Sequence, residues 1–469
     1  MTKRREFIKK SAIGTAGIAI GGLGLSPRVY SAIQGANDRI NLALIGIRNQ
    51  GDVHINEWCA LRKSHNVALT TLCDTDELLF ASKSKIVADK TGLIPKTEWD
   101  IHKVLEDKEI DAVSIVTPNH WHALATIWAC QAGKHVYVEK PACHNIFEGR
   151  KMVEAARKYD RIVQAGHNSR SLKNVREAIK FLHDGGIGEL YMARGLCFKA
   201  RDSYGYAKDS LPPATFHYER WLGPAQWRPY NVKRSHYSWH WYWDTGNGDT
   251  GNQGPHQFDI ARWGLNKNEH PVSVYSTGGI YGFRKDESTP ENQVRGTLVY
   301  GDVETYGNSK TSQETPNLQT ATFRYDDGTL LEFETRGRYT NQEGKNGIEI
   351  GNIFYGSEGY LEINDETWSA FRRREREQFA GSKPVQGADP GNHFANFLEA
   401  LRAGKREMLN CEINEGFYSA SLVHLANISY RLDRRLKFMS EYEKFANDPE
   451  ADLMLSRDYR PPYIVPEVV

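Results

Sequence analysis

Short apolar runs recur through the first third of the chain, and each gives way to a stretch with helical spacing. Ile40-Asn41-Leu42-Ala43-Leu44-Ile45 is the first, and Val67-Ala68-Leu69-Thr70-Thr71-Leu72-Cys73 the second. Ala112-Val113-Ser114-Ile115-Val116, His135-Val136-Tyr137-Val138 and Arg161-Ile162-Val163-Gln164-Ala165-Gly166 follow. Near-continuous apolar runs of this length mark strands buried on both faces, which occur in parallel sheets. Their alternation with helical segments predicts a doubly wound α/β domain over 37–166.

From 167 the pattern changes. Strands are expected near 188–195, 272–282, 320–325, 329–335, 347–355 and 359–363, with Asp326-Asp327-Gly328 as a hairpin turn. Few helical segments separate them, so the second domain, 167–469, is expected to be α+β around a large, open, mostly antiparallel sheet. Helices are expected at 392–403 and about 414–432, before a proline-bearing tail at 451–469.

Residues 1–36 do not read as part of either domain. Lys3-Arg4-Arg5 opens a basic start, Glu6-Phe7-Ile8-Lys9 follows, and a Gly-rich, weakly apolar run extends to Leu25. That run is too short and too rich in glycine for a spanning helix. The Arg4-Arg5 pair resembles a twin-arginine export signal, with Lys3 where Ser or Thr is usual. The expected location is therefore the periplasm, with no stable membrane span after processing. Outside the inner membrane no dependable dinucleotide pool exists, so a nucleotide enzyme there should retain its cofactor tightly.

The 469 residues carry 60 basic and 59 acidic side chains, and six of the basic but one of the acidic lie in this leader. A mildly acidic body gives no reason to expect nucleic acid as a partner. None of the six cysteines forms a CxxC pair, and buried thiols are the expected state.

The first strand ends in Gly46-Ile47-Arg48-Asn49-Gln50-Gly51 and a helical stretch follows. Such a strand, glycine turn and helix cradle a pyrophosphate with backbone N–H groups. Arg48 replaces the middle glycine and must point away from the phosphates. Asp74 ends the second strand, placed to accept from ribose hydroxyls and to repel a 2′-phosphate, which favours NAD over NADP.

Downstream, 216–243 holds five of the 11 tryptophans, interleaved with Tyr218, Tyr230, Tyr237, Tyr242, His217, His236 and His240. Aromatic faces stack on sugar C–H faces. A glycine-rich segment, 246–259, comes next and lets backbone approach a ligand. Trp239 and Tyr242 from the first segment, and Asp249 from the second, are candidates for sugar contacts. His236, His240 and Asp244 have a spacing compatible with metal ligands on a helix. The cofactor reading fits this context better, and no metal is expected.

The Gly46–Gly51 turn, the run Thr117-Pro118-Asn119-His120-Trp121-His122 and the strand-end Glu139-Lys140-Pro141 resemble the glucose–fructose oxidoreductase / inositol dehydrogenase (Gfo/Idh/MocA) family. Asn252-x-Gly-x-His256 is similar to the family's Asp-x-Gly-x-His segment, with Asn252 where many members carry Asp. The resemblance implies a cofactor held by Gly46, Ile47, Arg48, Gly51, Asp74 and Glu139, with Thr117, Pro118, Asn119 and His122 along the nicotinamide ribose. It implies that Lys140 bridges cofactor and substrate hydroxyl and that His256 is the acid/base. Asn252 cannot take a proton, so proton handling should fall to the other two. It also places substrate contacts at the start of the second domain, at His167 and Arg170. The outer face of the second sheet is expected to form a homo-oligomer.

The function implied is hydride transfer between a sugar or glycoside secondary hydroxyl and a nicotinamide cofactor. Two other classes stay open: a glycoside hydrolase that oxidises, eliminates and re-reduces, and a sugar-binding protein without catalysis.

Overall fold

The structure, a computed structural model, describes residues 38–201, 207–281, 313–337, 340–372, 377–385 and 391–469. The twin-arginine segment lies outside the described residues.

The first sheet has six parallel strands: β1 (Ile40–Ile45), β2 (Val67–Cys73), β3 (Lys96–Glu98), β4 (Ala112–Ile115), β5 (His135–Val138) and β6 (Val163–Ala165). Their order is β3-β2-β1-β4-β5-β6. The side chains of β1 alternate between two cores. Leu42 and Leu44 pack with Trp58 of helix α1 (Gln50–Ala60), while Ala43 and Ile45 join the core that holds Leu124 of α2 (Asn119–Gln131). Burial on both faces explains the unbroken apolar runs.

The second sheet has ten strands: β7 (Leu190–Cys197), β8 (Ser273–Gly279), β9 (Leu318–Arg324), β10 (Leu330–Arg336), β11 (Ile350–Gly356), β12 (Gly359–Ile363), β13 (Trp368–Arg372), β14 (Glu377–Gly381), β15 (Leu436–Met439) and β16 (Lys444–Phe445). They lie in the order β14-β13-β12-β11-β7-β10-β9-β8-β15-β16. β7 pairs parallel with β10, and the other neighbours run antiparallel. On the inner face Phe258, from helix α3 (Gly254–Gly264), packs against Phe333 and Phe323 at ring separations of 4.5 and 5.6 Å. On the outer face Arg194 sits among Glu332, Glu334 and Glu343.

Helix α4 (Gly391–Ala403) returns to the first sheet, a docking that the sequence boundary at 166/167 did not anticipate. Its Phe394 stacks on Tyr137 of β5 at 4.8 Å and meets Trp58 at 4.7 Å. Helix α5 (Ile413–Leu432) packs against both α3 and β8. All six cysteines are buried and unpaired. Among the described residues no helix is long and apolar enough to cross a membrane.

Phe394→Ala should lower the unfolding free energy by about 3–5 kcal/mol, because it empties an aromatic site on the nucleotide sheet. Denaturant titration checks this, and a loss under about 1 kcal/mol would mean that α4 is not docked there.

Candidate active site

The C-terminal ends of β1, β2, β4 and β5 open into one cavity of about 340 Å³. Ligands bind at this edge of doubly wound sheets. Gly46 begins the first turn at φ +88°, and a Cβ there would lie 2.5 Å from the Val116 carbonyl oxygen. A Cβ on Gly51 would lie 2.7 Å from the Gly46 oxygen. The turn is thus closed by two residues that must lack side chains, and α1 begins within it at Gln50. Arg48, in the place of the missing glycine, is exposed and lines the cavity with its side chain. Ile47 is buried outside the wall and donates its N–H to Asp74 Oδ2 at 2.9 Å.

Asp74 also accepts from the Asp76 N–H at 3.0 Å. Burial outweighs these two bonds and pushes its carboxyl up to about 6. At the end of β4, Thr117, Pro118, Asn119 and His122 line the cavity. The Thr117 hydroxyl is buried with no hydrogen-bond partner among the described residues. His122 reaches the Pro141 and Thr117 carbonyl oxygens at 2.7 and 2.8 Å, tying the ends of β4 and β5 together.

At the end of β5, Glu139 is held by His54 Nε2 at 2.9 Å and by Gln50 Nε2 at 3.3 Å. Burial opposes its charge, but the hydrogen bond from His54 and the Lys140 charge outweigh burial and bring its carboxyl down to about 2. The Lys140–Pro141 peptide is cis. Lys140 donates from Nζ to the Asn252 carbonyl at 2.8 Å, across the two domains. Burial, followed by the charges of Lys199 and Arg201, holds its ammonium below the ordinary lysine value, against the pull of Glu139.

Asn252 lies on the cavity wall, but His256 does not. His256 is half-buried on the first turn of α3, with its ring 6.4 Å from that of His167. Burial and the Lys140 charge push it down to about 3, so it is neutral at ordinary pH. His167 is buried outside the wall, and neither ring nitrogen has a hydrogen-bond partner among the described residues, though Nδ1 stands 4.0 Å from Asp259 Oδ2.

Three expected sugar contacts are committed elsewhere. Arg170 forms a bidentate pair with Asp259 at 2.7 and 2.9 Å and reaches Glu415 at 3.0 Å. Its donors stabilise buried carboxylates, which removes it from the cavity. Asp249 is 2% exposed and accepts from Arg201 Nε at 2.8 Å. Tyr242 is buried in the aromatic segment. Trp239 does line the cavity, and its ring stacks on His240 at 3.6 Å.

Trp221, His236, Tyr237 and His240 line the cavity too, whereas Trp227 is exposed and Tyr218 and Tyr230 pack in their own cluster. The residues with metal-like spacing diverge: His236 faces Asp76, His240 donates from Nδ1 to the Tyr237 carbonyl, and Asp244 pairs with Arg228. Among the described residues no group of three or more His, Cys, Asp or Glu could hold a metal.

One end of the cavity was not foreseen. The segment 213–221 crosses from the second domain onto the nucleotide domain. His217 donates its N–H to the Thr75 carbonyl at 2.8 Å, and Glu77 donates to the Thr215 carbonyl at 3.0 Å. The His217 ring stacks on Trp99 at 4.2 Å. Trp99, Phe216 and Trp221 then form an aromatic end to the cavity.

These features fit a dinucleotide. The side-chain-free turn and the start of α1 would hold the pyrophosphate, Asp74 a ribose, and the aromatic end an adenine base.

Comparison with known proteins agrees. Residues 40–167 match the model of an oxidoreductase family with an NAD-binding Rossmann fold, and residues 202–279 and 375–465 match that family's C-terminal alpha/beta domain. The chain belongs to the Gfo/Idh/MocA oxidoreductase family. A glycosyl hydrolase family 109 protein of Shewanella pealeana is 26% identical over 205 residues, 40% of this chain and 44% of that protein. Myo-inositol 2-dehydrogenase of Thermotoga maritima is 26% identical over 155 residues, 33% of this chain and 44% of that enzyme. The chain thus matches under half the length of these curated Gfo/Idh/MocA relatives. A levoglucosan dehydrogenase solved with NADH and levoglucosan shares the fold at a TM-score of 0.62 and 18% identity, covering 85% of this chain and 99% of that one. An aldose-aldose oxidoreductase from Caulobacter crescentus gives 0.61 at 16% identity, covering 85% and 100%.

The Asp74 value sets a pH dependence. Its carboxyl is protonated below about 6, so NAD affinity should fall as the pH drops through that value. Fluorescence titration of NAD checks this. Asp74→Asn should bind more weakly at neutral pH and lose the dependence; an unchanged profile in the variant would exclude Asp74 from the ribose site.

Proposed function

We propose that this protein is an NAD-dependent oxidoreductase acting on a secondary hydroxyl of a sugar or glycoside, with Lys140 as its catalytic group. The observation that carries this reading is the half-buried Lys140 ammonium. It stands on the wall of the nucleotide cavity, in hydrogen-bond contact with the glycine-rich segment of the second domain. When bound, the nicotinamide accepts or returns a hydride at the sugar carbon.

The chain's own residues manage the proton. Burial and two neighbouring cations make the neutral amine of Lys140 more accessible than in water, so Lys140 can take the hydroxyl proton during oxidation and return it during reduction. The Asn252 carbonyl orients Nζ. Asn252 cannot itself exchange a proton, and the half-buried His256, held neutral by burial and the Lys140 charge, is the second acid/base candidate beside Lys140. Trp239 and His240 offer a stacking surface. Asp74 supports NAD rather than NADP, because a 2′-phosphate would meet a carboxylate.

A second reading is favoured by the curated relatives named for glycosyl hydrolase family 109. In it the oxidised sugar eliminates its aglycone, adds water and is reduced again. Aglycone release without net NADH distinguishes it from simple dehydrogenation. The Arg4-Arg5 leader supports twin-arginine export to the periplasm, and the aromatic end of the cavity supports tight retention of the cofactor there. Self-association is proposed through the outer face of the second sheet, where Tyr275 is exposed.

Oxidation should accelerate with rising pH to a plateau, with a midpoint below the 10.5 of an ordinary lysine. Lys140→Met should retain the fold and bound NAD but lose roughly 10²–10⁴-fold in kcat/KM. Steady-state rates across pH check both, and full activity in the variant would remove Lys140 from the chemistry.

A further inference from the structure

The two domains meet at the aromatic end of the cavity through a short antiparallel pair. Just after Asp74, the chain from Thr75 to Glu77 runs beside residues 215–217 of the second domain. Asp76 and Phe216 face each other at its centre. Two main-chain bonds flank them, from His217 N–H to the Thr75 carbonyl at 2.8 Å and from Glu77 N–H to the Thr215 carbonyl at 3.0 Å. The His217 side chain adds a latch. Its ring lies on Trp99 at 4.2 Å and nearly parallel, and its Nε2 donates to Glu77 Oε1 at 2.6 Å. His236 Nε2 stands 3.5 Å from Asp76 beside them.

The segment is anchored unequally along its length. Its later half is tied down: Trp121 Nε1 donates to the Arg220 and Trp221 carbonyls at 3.1 and 3.0 Å, and His120 Nε2 reaches the Trp221 carbonyl at 2.9 Å. Arg220 also pairs with Asp100 at 3.4 Å. The earlier half meets the nucleotide domain through the two main-chain bonds and the His217 latch, while Phe216 packs on Tyr218, Trp221 and Tyr230 of its own domain. The Glu77 and His217 side chains are 46% and 27% exposed, so water screens their pair and weakens it. A contact with few buried bonds beside a well-anchored one is the part that opens first.

The neighbours of this seam define what passes through it. Trp99 and Phe216 line the cavity from its two sides, so a base seated there is enclosed by both domains. The Asp76 N–H donates to Asp74, so the residues gripped by the seam also hold the ribose carboxylate. At the Lys140 end the wall includes Lys199 and Tyr237, both exposed to solvent.

We propose that this seam is the gate for the dinucleotide: residues 215–217 must part from 75–77 and Trp99 for NAD to enter or leave, while the sugar exchanges at the Lys140 end with the gate closed. His217 is the latch. His217 and Glu77 lie outside the cavity wall, so they govern the rate of exchange rather than the contacts of the bound cofactor. This inference rests on the reading of the cavity as an NAD site.

The test uses the full chain and NADH, whose fluorescence reports entry on mixing and release on displacement by excess NAD. In His217→Ala both rates should rise roughly tenfold while the dissociation constant stays within about threefold, because an easier gate lowers the barrier in both directions. A Glu77→Cys, Thr215→Cys pair sets two thiols opposite each other across the seam, and the six native cysteines are buried. Oxidised, this variant should exchange NADH more slowly than the unaltered protein; reduced, it should exchange faster. Unchanged rates in His217→Ala, or a formed disulfide that leaves exchange at its reduced rate, overturns the gate. Faster release with unchanged entry overturns it too, because that marks a simple binding contact. Where His217→Ala does not fold, the oxidised and reduced states of the cysteine pair decide by themselves. Failure of the unaltered protein to bind NADH would instead sink the oxidoreductase reading.

Discussion

The bond from Lys140 Nζ to the Asn252 carbonyl joins the two domains at the point where chemistry is proposed. It asks much of its surroundings. A lysine inside a wall needs its charge tolerated, and here the neighbouring Glu139 carboxylate supplies the opposing charge. Glu139 is in turn fixed by His54 and Gln50 from the helix after the glycine turn. The nucleotide turn and the reactive amine are therefore parts of one hydrogen-bonded unit. A shift of α1 would move Glu139, and with it the end of β5.

The second domain completes that unit in three places. Asn252 receives the ammonium, the segment 213–221 closes the far end of the cavity, and α4 covers the nucleotide sheet through Phe394. Behind the wall, Arg170, Arg262, Asp259 and Glu415 form a buried ion cluster that fixes α3 against α5. Breaking such a cluster by removing one partner leaves an unpaired buried charge, which is far costlier than losing a surface pair. The glycine-rich segment at the start of α3 is thus anchored from behind, so that Asn252 can meet Lys140 in front.

Much of this was legible along the chain because it depends on local pattern. Strands buried on both faces appear as apolar runs, Gly46 and Gly51 as a turn that tolerates no Cβ, and Glu139-Lys140-Pro141 as polar residues at the end of a buried strand. What stayed hidden depends on partners distant in sequence. Arg170 reads as a cation free to bind substrate, but its partners Asp259 and Glu415 are 89 and 245 residues away. Asp249 is likewise taken up by Arg201. Lys199 and Arg201 follow a buried strand with no local signal of what they face. β3 is too short and polar to register as an apolar run, and β15 joins the sheet edge beside β8 from a segment with little apolar pattern.

The most direct test is a crystal structure of the protein with NAD bound. The expected result is one dinucleotide running from the Gly46 turn toward Lys140, with its adenine end among Trp99, Phe216 and Trp221 and its nicotinamide end at the Lys140–Asn252 contact. A nucleotide bound elsewhere, or one whose nicotinamide end points away from Lys140, would contradict the assignment of this cavity as the site of hydride transfer.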